Sequence, residues 1–246
     1  MADRGLWVTW YDLPDKDRDA HLAWLHGTYI PKMLKKPGFL HAAHYTNGKV
    51  PPNPVLRHTT GKSVPAGNDY ILIFGAETAH AFTRGWQSFA KGATPRLEEG
   101  LTAEDRQMLA MRTDERVGFL VEEARGSGPD AGRREGEYTL APCIQIGSFQ
   151  APDCEDELMS WYGDWRIPAL SKLPSCIAIR KLVSASAWAK HVVLYEFTSF
   201  EARAENLPKL ATLWPEEVKW TSGFTPKLLH APSSPVVGRR LWPAVR

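Results

Sequence analysis

The chain has 246 residues, of which 43% are hydrophobic and 24% charged, a composition typical of soluble globular proteins rather than disordered ones. Its formal net charge is only +2 and its basic residues occur in short pairs, so we expect neither nucleic acid nor an anionic membrane as a partner. The N-terminus lacks the apolar core of a signal peptide and no apolar stretch approaches the roughly 18 residues of a membrane span, which predicts a cytoplasmic protein.

The first half of the chain is predicted to fold as strand, helix, strand, strand, helix, strand. The strands are expected at 6–11, 39–45, 70–74 and 117–122, and the helices at 17–36 and 77–90. In the first of these helices, Pro31 predicts a kink or a break. Thr102 as an N-cap, followed three residues later by Asp105, predicts an additional helix over 102–111.

The second half repeats the same order of elements. Its strands are expected at 144–149, 177–183, 192–197 and 224–229, and its helices at 155–172 and 200–210. A Gly-rich and Pro-containing segment between the halves has the composition of a linker. The predicted organisation is a first repeat over 1–125, a linker over 126–138 and a second repeat over 139–246.

A long loop at 46–69 distinguishes the first half from the second, where the equivalent connection is 16 residues shorter. The loop is rich in Pro, Gly and Thr, which places it on the surface. Two interpretations stay open: a lid over a site, or a passive insertion, because long surface insertions cost little free energy.

Trp24 is followed by an Ile-Pro pair and then by a further proline. Trp161, 137 residues later, is followed by the same residues at identical spacing. A repeat at a fixed offset indicates a duplicated structural unit. The order βαββαβ is that of a ferredoxin-like unit, whose sheet carries its helices on one face and leaves the other apolar. We therefore predict an α+β protein with two tandem ferredoxin-like βαββαβ repeats, whose antiparallel sheets pack into one α/β barrel.

The same segments resemble the EthD-like members of the dimeric α/β-barrel superfamily, whose first helix commonly carries Trp-Tyr, then Glu-His and a proline. The second copy keeps Trp161-Tyr162 and Ile167-Pro168, and the first is followed by Pro37-Gly38-Phe39. Where the family has Glu-His, this chain has Thr28-Tyr29 in one copy and Trp165-Arg166 in the other. The acid/base pair that the resemblance implies is therefore absent from both copies.

Five of the eight histidines lie in the first third of the chain, which favours a site in the first half. His26, His44 and Tyr29 are the candidate catalytic residues, because an imidazole exchanges protons at neutral pH and a phenol can donate to a developing oxyanion. His41 lies on the opposite face of the same strand from His44 and is a candidate for substrate binding. The alternative is that these histidines are ordinary surface or core residues.

Ten tryptophans suit the wall of a cavity for a flat apolar ligand, an oligomer interface or ordinary core packing. Trp24, Trp161 and Trp165 are candidates for substrate binding. Asp164 and Arg166 are polar residues among apolar neighbours, and Arg166 can clamp a ligand carboxylate. Alternatively, both polar residues lie on a solvated helix face.

Cofactor and metal signals are absent from the sequence. It contains no phosphate-binding loop and no His spacing typical of a metal site, and its three cysteines match neither a disulfide framework nor a zinc site. We therefore expect no metal and no cofactor. Haem remains an alternative, because a single axial histidine leaves no sequence signature and the superfamily includes haem-binding chlorite dismutases and dye-decolourising peroxidases.

These observations predict a cofactor-independent enzyme of lyase or isomerase type that uses His or Tyr for proton transfer. Its substrate would be a small aromatic or polyketide-like molecule in a Trp-lined pocket between helix and sheet. A non-catalytic binding or accessory protein is one alternative, and a cofactor-free monooxygenase or haem-binding protein is another, because the resemblance alone selects no activity. A homodimer is left open.

Overall fold

The computed structural model describes residues 3–51, 53–82, 100–133 and 141–245. Its strands are β1 Gly5–Asp12, β2 Phe39–Asn47, β3 Arg57–His58, β4 Tyr70–Ala76, β5 Thr113–Ser127, β6 Cys143–Gln150, β7 Cys176–Ser186, β8 His191–Phe197, β9 Leu229–His230 and β10 Val236–Trp242. Its α-helices are α1 Arg18–Trp24, α2 Ile30–Leu34, α3 Ala103–Leu109, α4 Glu155–Ser160, α5 Ile167–Leu170, α6 Phe200–Asn206, α7 Leu210–Leu213 and α8 Pro215–Phe224. Within these ranges, no helix combines the length and apolar character needed to cross a membrane.

Eight of the strands close into an antiparallel barrel in the order β10-β2-β4-β1-β5-β7-β8-β6, with β6 pairing back to β10. The first half contributes β5-β1-β4-β2 and the second contributes β7-β8-β6-β10, joined by the β5–β7 and β10–β2 pairs. Because side chains alternate along a strand, each strand contributes to a shared interior core and to an outer core under the helices of its own half. The predicted α/β barrel is confirmed.

Each half begins its helical segment with an α-helix that passes through a π-helical turn before a proline. The turns are Leu25–Tyr29, between α1 and α2, and Trp161–Arg166, between α4 and α5. Pro31 and Pro168 follow directly, at the second positions of α2 and α5. A proline has no N–H to donate to the carbonyl four residues earlier, and the wider π turn accommodates this without ending the helical segment.

The additional helix of the first half, α3, is confirmed together with its predicted cap. Thr102 Oγ1 accepts a hydrogen bond from the Asp105 N–H at 3.1 Å, and Asp105 Oδ2 accepts one from the Thr102 N–H at 2.8 Å. Asp105 also pairs with Lys32 and accepts from Trp24 Nε1 at 3.2 Å. The cap therefore ties α3 to both segments of the first helix.

We expect Thr102→Ala to lower the free energy of unfolding by about 1 kcal/mol, because it removes the acceptor of the capping box. Urea denaturation measures the change, and Thr60→Ala, at an exposed loop position, serves as the matched control with little expected effect. Burial alone would raise the pKa of Asp105, but hydrogen bonds from Lys32 and Thr102 outweigh it and hold the pKa at about 2. The stability that this carboxylate contributes should therefore be lost as the pH falls from about 4 towards 2. Equal stability of the two variants would contradict the role of the cap.

The predicted last strand at 224–229 is wrong. The segment instead completes α8, passes through a short 3-10 turn and enters the two-residue β9, while β10 supplies the barrel strand. Pro215, at the first position of α8, starts a helix that the sequence analysis did not anticipate. The predicted helix at 200–210 is interrupted near Pro208, where α6 passes into a 3-10 turn before α7.

Two other predictions fall partly outside the described residues. Of the helix predicted at 77–90, the structure shows a 3-10 turn at Ala79–Phe82, and 83–90 lie outside the described ranges. Of the predicted linker at 126–138, the first two residues extend β5, and 134–138 lie outside the described ranges.

The three cysteines, Cys143, Cys154 and Cys176, are all buried and unpaired, as the sequence predicts. Burial raises the pKa of both the Cys143 and the Cys176 thiols to about 12. These thiols are therefore protonated and unreactive at neutral pH, and they act as small apolar residues of the outer core in the second half.

Candidate functional site

A cavity of about 940 Å³ lies between the outer face of the second-half sheet and the helices that cover it. Its sheet wall comes from β6, β8 and β10, and its helical wall includes the π turn after α4. The remaining wall comes from the long loop of the first half. The aromatic residues of the lining are Phe149, Trp161, Tyr162 and Tyr195, the charged ones are Lys49, Asp69, Arg166 and Arg203, and the imidazoles are those of His58 and His230. We call this space the loop-covered cavity.

The loop at 46–69 reaches the second half through backbone hydrogen bonds. The Gly48 N–H donates to the Val237 carbonyl at 2.8 Å, and β3, within the loop, pairs in parallel with β9. The Thr59 N–H then donates to the His230 carbonyl at 2.8 Å. A segment of one half therefore forms the outer wall of a cavity in the other half.

The polar centre of the cavity is the hydroxyl of Tyr195. The Tyr162 hydroxyl lies 3.3 Å from it, and Arg166 Nε donates to it at the same distance. The Arg166 guanidinium carbon lies 5.3 Å from the ring centre of Tyr195 and 5.7 Å from that of Trp161, within the range of cation–π attraction. With a cation as one neighbour and a phenol as the other, the Tyr195 hydroxyl is placed to donate a hydrogen bond to a ligand oxygen.

Two imidazoles lie in the wall formed by β3 and β9. His58 Nε2 donates to the Ser234 carbonyl at 2.6 Å, which leaves Nδ1 as the acceptor of that ring. The ring centres of His58 and His230 are 5.8 Å apart. Burial, and to a smaller extent the nearby His58, lowers the pKa of His230 to about 4. At neutral pH the His230 imidazole is therefore uncharged.

The second-half residues predicted from the sequence divide into two groups. Trp161 and Arg166 line the loop-covered cavity. Trp165 is half-buried and packs against the outer core of its half, and Asp164 is exposed. The structure therefore brings two of the four to the cavity, and the position of Asp164 agrees with the alternative of a solvated helix face.

The first-half candidates form a separate hydrogen-bonded chain. His26 Nε2 lies 2.8 Å from His44 Nδ1, and His44 Nε2 lies 2.9 Å from the Tyr11 hydroxyl. Tyr29 is not part of this chain, because its buried ring packs 5.1 Å from that of Trp24. Burial lowers the pKa of His26 and holds that of His44 well below its ordinary value. The structure thus joins the two predicted histidines to Tyr11 instead of Tyr29.

The other two first-half candidates have structural partners. His41 lies inside the barrel with its Nε2 2.8 Å from Asp3 Oδ2, on the opposite face of β2 from His44, as predicted. Trp24 is buried and donates to Asp105. Neither residue lines the loop-covered cavity.

Several residues of the cavity are not predicted from the sequence: Tyr195, His58, His230 and Arg203. Tyr195 stands in an apolar strand, where no local pattern distinguishes it from a core residue. The other three lie in segments whose place relative to the cavity depends on the pairing of β3 with β9 and on the packing of α6. In the described ranges, no group of three or more His, Cys, Asp or Glu side chains could hold a metal ion.

The sequence matches no known family model and no curated protein. Solved structures match the fold over 98% of this chain. They include an anthrone oxidase-like protein (TM-score 0.63, 9% identity, 92% of that chain covered) and a candidate monooxygenase of Fusobacterium nucleatum (0.58, 7%, 94% covered). Another candidate monooxygenase, of Lactobacillus acidophilus, matches with a TM-score of 0.55 and 11% identity over 94% of its chain. At these identities the likeness shows only the fold, an α/β barrel.

Proposed function

We propose that the protein is a cofactor-independent enzyme that moves protons on a small, flat molecule held in the loop-covered cavity, in a reaction of lyase or isomerase type. The observation that carries the proposal is the convergence of Tyr162 and Arg166 on the Tyr195 hydroxyl, each at 3.3 Å, in a cavity walled by aromatic rings. Aromatic walls with a few converging polar groups are typical of sites for flat small molecules.

The proposed reaction begins at a C–H bond of the substrate that is made acidic by conjugation with a carbonyl group, directly or through an aromatic ring. His58 Nδ1 accepts the proton as the C–H bond breaks, and the electron pair moves onto the carbonyl oxygen. Tyr195 donates to this oxyanion, and the Arg166 cation stabilises the negative charge. Return of the proton to another atom gives an isomer, whereas departure of hydroxide from the adjacent carbon, protonated to water, gives elimination.

Deuterium exchange into anthrone tests the proposal. Anthrone is a flat tricyclic ketone with an acidic C–H, and the structural neighbour with a TM-score of 0.63 is described as anthrone oxidase-like. In heavy water we expect the protein to accelerate exchange at the acidic carbon, measured by NMR, and Tyr195→Phe, which removes the donor to the oxyanion, to lose most of the acceleration. Exchange no faster than in buffer would contradict proton transfer on this ketone. Oxygen uptake during the reaction would instead indicate the cofactor-free monooxygenase alternative.

The chain of His26, His44 and Tyr11 supports a second candidate site, the one that the sequence favoured. A half-buried imidazole hydrogen-bonded to a buried one can pass a proton between the surface and the Tyr11 phenol. Under this proposal the chemistry lies in the first half and includes His26, His44 and Tyr29. Its weakness is that Tyr29 packs into the core, away from the two imidazoles.

Paired substitutions distinguish the two sites. We expect His58→Ala to lower the rate of exchange about 100-fold, the usual contribution of a general base, and His26→Ala to leave it unchanged. Both variants lose one imidazole of similar exposure, so each is the control for the other, and thermal melting verifies folding. The reverse result would place the chemistry in the first half.

We further propose that the two halves are tandem ferredoxin-like repeats of EthD-like type. The matching strand orders, β5-β1-β4-β2 and β10-β6-β8-β7, and the matching π turns support this relation. A cytoplasmic location and a homodimer remain expectations from the sequence. If the cavity binds a flat ligand without any exchange, the non-catalytic binding protein becomes the preferred function.

A further inference from the structure

Arg203 lies in the wall of the loop-covered cavity and has an uncharged partner. Its side chain extends from α6 to β6, where Nε donates to Gln145 Oε1 at 3.1 Å. Gln145 is buried, and Arg203 is half-buried. Among the residues that the structure describes, no carboxylate forms an ion pair with Arg203. A guanidinium ion bound to an amide oxygen keeps its whole positive charge, which an anion can neutralise.

The charge of the cavity wall as a whole also favours an anionic ligand. Three cationic side chains, Lys49, Arg166 and Arg203, face one carboxylate, that of Asp69. Burial lowers the pKa of Arg203, because surroundings of low polarity disfavour its charged form. A bound anion would offset this penalty by pairing with the guanidinium in a charge-assisted hydrogen bond.

The position of this arginine relative to Tyr195 defines where the anion sits. Gln145 on β6 and Tyr195 on β8 are directly paired across the two strands, with their side chains on the same face of the sheet. Side chains of such a pair are neighbours, with Cβ atoms about 5 Å apart. Arg203 therefore binds beside one member of the pair and Arg166 beside the other.

We propose that Arg203 and Gln145 form a carboxylate subsite next to Tyr195, so that the ligand is an aromatic carboxylate whose acid group lies beside its reacting oxygen. The guanidinium binds the carboxylate, and the Gln145 amide holds the guanidinium in place. The inference rests on the proposed function of the loop-covered cavity and adds to it the class of molecule that the cavity selects.

Calorimetric titration with hydroxynaphthoate, whose hydroxyl and carboxylate are adjacent, and with its methyl ester tests the subsite. We expect the acid to bind the natural protein at least about tenfold more tightly than the ester, the effect of one charge-assisted hydrogen bond. Arg203→Met should reduce this ratio to about one, and Arg203→Lys should keep part of it. Arg239→Met is the matched control, because Arg239 is exposed, pairs with Glu201 and lies outside the cavity lining.

Three outcomes overturn the subsite. Equal binding of acid and ester to the natural protein would contradict it while leaving the function of the cavity intact. A preference for the acid that survives in Arg203→Met but is lost in Arg166→Met would place the carboxylate at Arg166. Binding of neither compound would contradict the subsite and also the proposed function. Where Arg203→Met does not fold, Arg166→Met decides: a preference for the acid that survives in this variant supports the subsite, and its loss overturns it.

Discussion

Tyr195→Phe is expected to lower turnover of the proposed reaction about 100-fold or more, the usual effect of removing a donor to an oxyanion. The substitution removes only the hydroxyl on which Tyr162 and Arg166 converge. The aromatic ring remains, so the shape of the cavity and its stacking surface are preserved. The rate of deuterium exchange into anthrone measures the effect.

Tyr45→Phe provides the matched control for this loss. The Tyr45 hydroxyl donates to the Ala141 carbonyl at 3.1 Å, away from the loop-covered cavity. Both variants lose one buried hydroxyl, and each should lose about 1 kcal/mol of unfolding free energy. Only Tyr195→Phe should lose turnover. Similar turnover in the two variants would remove Tyr195 from the mechanism.

Asp3→Ala is expected to lower the free energy of unfolding by about 3–5 kcal/mol, although the residue stands near the start of the chain. Asp3 Oδ2 lies 2.8 Å from His41 Nε2 and 2.9 Å from an Arg180 nitrogen, and Oδ1 lies 2.7 Å from Arg125. The Asp3 and Arg180 side chains are 2% and 1% exposed. Removing the carboxylate leaves the buried Arg180 guanidinium with Glu122 as its remaining carboxylate partner.

The stability that the Asp3 carboxylate contributes should depend on pH. Burial would raise the pKa of Asp3, but the hydrogen bond from His41 and the charge of Arg180 outweigh it and hold the pKa far below its ordinary value. A carboxylate with a lowered folded-state pKa contributes all of its stability above the unfolded pKa of about 4, and loses it as the pH falls further. The free energy of unfolding of the natural protein should therefore fall more steeply below pH 4 than that of Asp3→Ala.

Asp15→Ala is the control for the buried carboxylate. The Asp15 side chain is 95% exposed and pairs with Arg18 at 2.8 Å. Exposed pairs contribute little, so the change should stay within about 1 kcal/mol, with no altered slope in acid. If Asp3→Ala behaved in the same way, the buried cluster would not be stabilising the barrel.

The sequence predicted the barrel because the duplicated Trp and Ile-Pro spacing doubled a simple order of elements. The prediction of the last strand failed, because β10 lacks the alternation typical of a strand. Two valines are followed by Gly238 and by the consecutive residues Arg239 and Arg240. The barrel strand is identifiable only from its partners, since β10 pairs with β2 and β6 at once. Pairing of this kind is non-local and leaves no local pattern.

The candidate site was predictable in part. Trp161 and Arg166 stand out as an aromatic and a charged residue in the duplicated helix, and the structure places both at the cavity. The clustering of histidines favoured the first half, because chain position was the only measure of proximity available. A loop of one half that covers the sheet of the other depends on contacts such as that of Gly48 with Val237, which no local pattern encodes.

The π turn at Trp161–Arg166 also fixes the rotational phase of the residues around it. In an α-helix, two residues five apart point about 140° away from each other, whereas π hydrogen bonding aligns them more closely. Trp161 and Arg166 are five apart, and both face the cavity. An α-helical turn over the same residues would therefore point the tryptophan away from its arginine. The wider hydrogen bonding of the π turn brings the two side chains of this site together.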